Sequence, residues 1–159
     1  MRGGEIQKIR ESFQRVDRQA HIAALIFYRR LFSLDPSLRR LFQHDIEAQA
    51  DKLMTMLRQA IDLLDQPARL DPLLRQLGHQ HAGYGVKATH YDVVGQALLG
   101  MLSDVLGDAF TPEVRTAWTT LYTVMATTMQ RGASPAGRSS TEPSPSPTDI
   151  STLNFPAPR

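Results

Sequence analysis

A single histidine closes a leucine stripe in the stretch LDPLLRQLGHQHAGYGV, residues 70–86, and the fold must accommodate it. Leu70, Leu73, Leu74, Leu77 and His81 recur at helical spacing, so the imidazole of His81 faces the same interior as the leucines. The Gly83-Tyr84-Gly85 that follows supplies residues able to end the helix with a left-handed cap, leaving His81 in its last turn. An inward imidazole at that place is either a core group satisfied by a hydrogen bond or a metal ligand. Residue spacing alone leaves both readings open.

The segments around it are helical too. The first helix is predicted over Glu5 to Arg18, with Ile6, Ile9, Phe13 and Val16 on one face and Lys8, Arg10, Glu11 and Arg15 on the other. A second, Gln19 to Leu34, carries Ile22, Leu25, Ile26, Tyr28 and Leu31 on a wide apolar surface and is closed by Asp35-Pro36. Pro36 to Phe42 reads as a short helical turn before a polar corner at Gln43, His44 and Asp45. The third long helix, Asp45 to Leu64, has the stripe Gln49, Leu53, Met56, Leu57, Ala60, Ile61 and Leu64, in which only Gln49 is polar. Beyond the His81 helix, Thr89 is placed to cap a helix that Gly107 stops, and this helix is apolar nearly all round. Thr111-Pro112 opens the last one, whose stripe Val114, Trp118, Leu121, Tyr122, Met125 and Met129 carries it to about Gln130. No segment has the alternation of a strand, so the fold class is all-α.

From Gly132 onward the composition shifts to Ser, Pro, Thr and Gly, with TEPSPSPTD at its heart. Such a segment buries too little to fold alone. The expected organisation is therefore one helical domain over residues 1–132 and a disordered tail over 133–159, whose Ser144-Pro145 and Ser146-Pro147 are its only hint of a docking or phosphorylation role. The 159 residues, 42% of them hydrophobic, suit one domain with a sizeable core. With no cysteine there is no disulfide framework, no zinc–thiolate site and no cysteine nucleophile. A formal charge of +2 with the signs mixed along the chain gives no basic stripe, which argues against nucleic acid despite a pI near 9.2. Neither a signal-peptide run nor a membrane-spanning run of about 20 apolar residues is present. A soluble, cytoplasmic protein is expected.

The words FYRRLF at residues 27–32, LFQ at 41–43, HQHAGYGV at 79–86, HYDVVGQALL at 90–99 and AWTTLY at 117–122 come in one order and at one spacing. This pattern resembles a globin, and in particular the bacterial single-domain haemoglobins and the haem domain of flavohaemoglobins. It covers nearly the whole chain up to Gln130. The resemblance implies haem b (iron protoporphyrin IX) between the Gln49 helix and the His81 helix. A full-length first helix, without the internal glycine pairs of truncated globins, implies a three-over-three helical sandwich.

By that resemblance His81 is the proximal iron ligand, a neutral imidazole whose second nitrogen donates a hydrogen bond. His79 lies about 200° away around the helix, cannot reach the same iron and is expected to face solvent. Tyr91 matches a tyrosine that acts near the proximal histidine together with a glutamate of the last helix; here that glutamate's place falls close to Ala133. Tyr91 is then either a second layer behind the ligand or a core tyrosine bonded to a backbone carbonyl. Tyr28 and Gln49 match the distal pair that hydrogen-bonds dioxygen, Phe42 packs on the porphyrin face, Leu53 stands over the iron, and Val86 borders the cofactor. An ungapped match would put Lys52 and Met56 in the places of Gln49 and Leu53, but the continuous stripe through Gln49 favours the first register, since a lysine there would bury its ammonium. Lys52 is left at the edge, either meeting a haem propionate or exposed. His44 is the one candidate for an internal sixth ligand, and a five-coordinate ferrous iron is expected.

The function so implied is reversible binding of dioxygen, with carbon monoxide and nitric oxide as further ligands. An alternative is nitric oxide dioxygenase, which would need an external reductase because the chain has no room for a flavin or nicotinamide domain. A haem-based gas sensor is a third reading. The chain is expected to be a monomer or weak homodimer.

Overall fold

The computed structural model describes residues 1–42 and 46–133. Six α-helices follow one another: α1 (Gly3–Asp17), α2 (Ala20–Leu34), α3 (Ile46–Asp62), α4 (Pro67–Gly83), α5 (Ala88–Leu106) and α6 (Pro112–Ala133). A short 3-10 helix, Pro36–Leu41, joins α2 to α3, and another, Gly107–Ala109, precedes α6. Among the described residues there is no strand. The expected all-α class is thus the observed one.

Local signals set the ends. Asp35 accepts from the Ser37 backbone N–H at 3.1 Å and caps the first 3-10 helix, while Pro36 cannot prolong α2. Thr111 Oγ1 accepts from Val114 N and opens α6 as read from the sequence. Thr89, in contrast, is not a cap: α5 starts one residue earlier, with Lys87 as its N-cap and its N–H donated to His90 Nδ1 at 2.9 Å. Gly107 ends α5 at φ 56°, where a side chain would be strained.

The layers are α1, α3 and α4 on one side and α2, α5 and α6 on the other, the three-over-three arrangement. The most extensive contact is α4 on α6, and two glycines permit it. A Cβ on Gly78 would meet the Met129 carbonyl oxygen at 1.8 Å, and one on Gly132 the Arg75 carbonyl oxygen at 2.0 Å. That second crossing explains why α6 runs to Ala133 rather than stopping near Gln130: Thr128, Met129 and Gly132 are buried against α4. Helix therefore includes Ala133, the residue at which the tail was expected to start, and the remainder of the expected tail, 134–159, lies outside the described residues. So does the polar corner 43–45.

The core joins Ile9, Phe13 and Val16 of α1 to Leu74 and Leu77 of α4 and Met101, Leu102, Trp118 and Leu121 of α5 and α6. Trp118 donates its indole N–H to Ser12 Oγ at 2.8 Å, so the buried polar edge of the ring is satisfied. Ile22, counted on the apolar surface of α2, is 55% exposed, because α2 buries the face carrying Ala23, Ala24, Phe27, Tyr28 and Leu31. Bidentate ion pairs Arg30–Asp104 and Arg58–Asp17 tie α2 to α5 and α1 to α3 on the surface. Exposed pairs of this kind contribute at most about 1 kcal/mol each.

Candidate functional site

An almost wholly apolar cavity opens between the two layers. On one side α2, the 3-10 turn and α3 supply Phe27, Tyr28, Leu31, Phe42, Leu53 and Met56. On the other stand His81 of α4, then Val86, Tyr91 and Val94, with Met125 and Met129 of α6. Six of the eight residues singled out from sequence, Tyr28, Phe42, Leu53, His81, Val86 and Tyr91, line this one space. Gln49 and Lys52 do not.

His81 reaches the cavity from the last turn of α4. Its Nδ1 lies 2.6 Å from the Leu77 carbonyl oxygen, one turn earlier. A carbonyl only accepts, so Nδ1 carries the proton and the lone pair of the neutral ring sits on Nε2. Burial pushes the pKa of His81 down to about 4, against a smaller opposing effect of the Leu77 carbonyl. The imidazole is therefore neutral near pH 7, with its tautomer and orientation held by a backbone acceptor, the state a metal-binding histidine needs. His79 is half-buried rather than solvent-facing, since α4 packs on both α6 and the core, and it does not line the cavity.

Tyr91, on the same wall, is buried and its hydroxyl has no hydrogen-bond partner. Desolvation raises its pKa to about 12. Of the two readings of Tyr91, the one that bonds its hydroxyl to a backbone carbonyl is not met; the Tyr91 carbonyl itself accepts from the Tyr122 hydroxyl, whose ring lies on Gly95.

Across the cavity, Tyr28 is 2% exposed. Its ring makes T-shaped contacts with Phe27 at 5.1 Å and Phe42 at 5.3 Å, and its hydroxyl lies 3.5 Å from the Gln49 backbone carbonyl. Burial holds its pKa far above the ordinary value, with the Gln49 side chain opposing, so the phenol keeps its proton as a donor. Gln49 is 2% exposed, and its Nε2 is a buried donor without a partner. Lys52 is half-buried one turn along α3 from Gln49 and away from the cavity wall. Among the described residues, the histidines on the wall are His81 and His90, both on the α4–α5 side. His44 falls outside the described residues.

A model of the globin family matches residues 25–129. The chain belongs to the globin family. Its relatives include neuroglobin of Danio rerio, 30% identical over 138 residues that cover 78% of this chain and 87% of that protein. Neuroglobin-1 of Oncorhynchus mykiss is also 30% identical, over 87% of this chain and 96% of its own length. A flavohemoprotein of Bacillus subtilis is 37% identical over 63% of this chain, and the match spans 26% of that longer protein. Among solved structures, the hexacoordinated haem protein of an anhydrobiotic tardigrade superposes with a TM-score of 0.76 at 18% identity, covering 84% of this chain and 95% of that one. That likeness is one of fold.

The globin is thus a haem-binding protein, and its own residues fit the group. The walls are apolar, one neutral imidazole presents a lone pair, and a buried phenol stands on the other side. Among the described residues no three His, Asp or Glu side chains gather as a metal-holding group. No helix among them is long and apolar enough to cross a membrane.

Tyr84, His90 and Tyr122 also line the cavity, and sequence reasoning gave them no role in the site. For Tyr122 the signal was present, since it continues the stripe of α6 that ends in Met125 and Met129. Tyr84 and His90 sit in and just after the loop between α4 and α5, where no periodicity tells inward from outward.

Proposed function

We propose that this globin binds dioxygen reversibly at a five-coordinate ferrous haem b, with His81 as the proximal ligand. The observation that carries the reading is Tyr28, a buried phenol on the cavity wall across from His81, with a second buried donor, the partnerless Gln49 amide, off that wall on α3. Haem supplies the gas-binding iron. A phenol O–H and an amide N–H in a dry pocket would favour a ligand that accepts hydrogen bonds, such as dioxygen, over carbon monoxide. To serve, the Tyr28 proton would turn from the Gln49 backbone carbonyl toward the cavity, and the Gln49 amide, which does not line the cavity, would have to turn into it. Phe42, Val86 and Leu53, which line the cavity, would hold the haem by apolar contact, and Lys52, half-buried off the wall, would offer its charge to the group's carboxylates. With its imidazole proton on a backbone carbonyl rather than a carboxylate, His81 is an ordinary, weakly donating ligand, which suits gas binding better than peroxidase-type chemistry.

The decisive experiment is stopped-flow measurement of dioxygen release from Tyr28→Phe. A rise of at least tenfold is expected, because affinity here rests on slow release. An unchanged rate removes Tyr28 from the distal role. The likeness to the haem-bearing part of a flavohemoprotein favours a second reading, nitric oxide dioxygenase, in which nitric oxide, dioxygen and one electron yield nitrate. The electron would come from an external reductase.

A further inference from the structure

The outer face of the α2–α3 corner carries four arginines. Arg29 and Arg30 lie on α2, Arg39 and Arg40 on the 3-10 turn, and all four are exposed. Arg30 is engaged by Asp104, and Asp35 is occupied in capping the turn. Among the described residues, no carboxylate lies within ion-pair distance of Arg29, Arg39 or Arg40. Beneath these charges the ring stack of the distal wall comes nearest the surface. The Arg39 guanidinium sits 5.0 Å from the centroid of half-buried Phe32. Phe32 in turn lies 5.6 Å from Phe42 and 6.0 Å from Tyr28, and both of those line the cavity. Arg29, exposed, lies about one turn before Phe32 on α2. A positive surface therefore stands directly over a continuous packed path, two rings long, that leads to the haem cavity.

We propose that the Arg29–Arg39–Arg40 surface, with Phe32 at its centre, is the docking site for an acidic one-electron reductase, an iron–sulfur or flavin protein with a carboxylate-rich face. The inference rests on the reading that the iron must be returned to the ferrous state. In the transfer, the reduced partner loses one electron and ferric haem gains it, with no bond made or broken. Charge complementarity steers the encounter and raises association rates by about 10- to 1,000-fold, an effect that salt suppresses. Close ring packing keeps the protein between the docked partner and the cofactor free of intervening water.

A plant-type [2Fe–2S] ferredoxin is a suitable acidic probe. Titrated in its oxidised form against the ferric holoprotein at low salt, it is expected to bind, and Arg39→Glu/Arg40→Glu should weaken that binding at least tenfold and flatten its salt dependence. Arg39→Lys/Arg40→Lys, which keeps the charge, should retain most of it, and Arg29→Glu should act like the double reversal. With reduced ferredoxin below saturation, the rate of haem reduction should fall in step, while reduction by dithionite stays unchanged. The proposal is overturned if the ferredoxin does not bind, if charge reversal leaves binding and rate as they were, or if dithionite reduction slows in parallel. It is equally overturned if Lys52→Glu/Lys87→Glu causes the loss and the arginine variants do not. The assay uses ferric protein and no gas, so its result is separate from that of the Tyr28→Phe test.

Discussion

The two walls of the cavity solve the problem of buried polar groups in opposite ways. On the α4–α5 side the important nitrogen is fully committed: Nδ1 of His81 is held by the Leu77 carbonyl within its own helix, and the ring's orientation follows from α4 itself. On the α2–α3 side the polar groups are under-committed. Tyr28 has one long contact of 3.5 Å and Gln49 Nε2 has none. An unsatisfied buried donor costs on the order of 1–3 kcal/mol, so the Gln49 amide, off the wall itself, is poised for a group that accepts a hydrogen bond. One side thus holds an oriented imidazole and the other retains donor capacity, an asymmetry that suits the gas binding proposed above.

The strongest way to break this comparison is to remove the committed side. His81→Ala should abolish or grossly alter haem binding, seen as loss of the Soret band in the purified protein, with added imidazole restoring it. A normal spectrum in that variant would mean that the iron is held elsewhere. The same residue predicts an acid effect in the haem-free chain. The pKa of His81 falls from the ordinary 6.5 to about 4 on folding, so between those values the unfolded chain binds more proton. Stability is full above about pH 6.5 and is lost as the pH falls toward 4, by at most about 3 kcal/mol. Urea titrations from pH 7 to 4 should show that slope, and His81→Leu should flatten it.

Smaller effects sharpen the contrast from the other side. Gln49→Leu should speed dioxygen release by roughly three- to tenfold, corresponding to about 1 kcal/mol for a single hydrogen bond, as flash photolysis or stopped flow would show. Because its buried amide lacks a partner, the same change should leave the thermal stability of the haem-free chain unchanged or slightly higher. Tyr91→Phe should do least. Its hydroxyl bonds to nothing, so thermal midpoint and iron potential should both stay put; a shifted potential would show that the phenol acts on His81 after all.

Much of this arrangement was legible in the residues. The leucine stripe through His81, the polar Gln49 alone in an apolar stripe and the caps at Asp35 and Thr111 are periodic or local signals, and helices express such signals directly. Thr89 misled because a threonine near a helix start is not obliged to cap it; the chain entered α5 through Lys87 instead. For Tyr91 the sequence left two readings open; the structure leaves its buried hydroxyl without a partner, while its own carbonyl accepts from Tyr122, whose ring packs on Gly95. Ile22 pointed outward for a related reason. Periodicity reports an apolar arc, but the neighbouring helices choose which part of the arc they cover.

The sequence by itself determined the number and order of the helices, the inward direction of His81 and Tyr28, and membership of a family whose words stand at fixed spacing. These are properties of one helix at a time, set by hydrophobic period and by residues that start or stop a turn. Tertiary structure alone decided which polar atoms were left without partners, how far α6 runs along α4, and that Arg39 lies over Phe32 above the distal rings. Each of those depends on the approach of two elements distant in the chain, down to the missing Cβ of Gly78 and Gly132, and no local pattern encodes it.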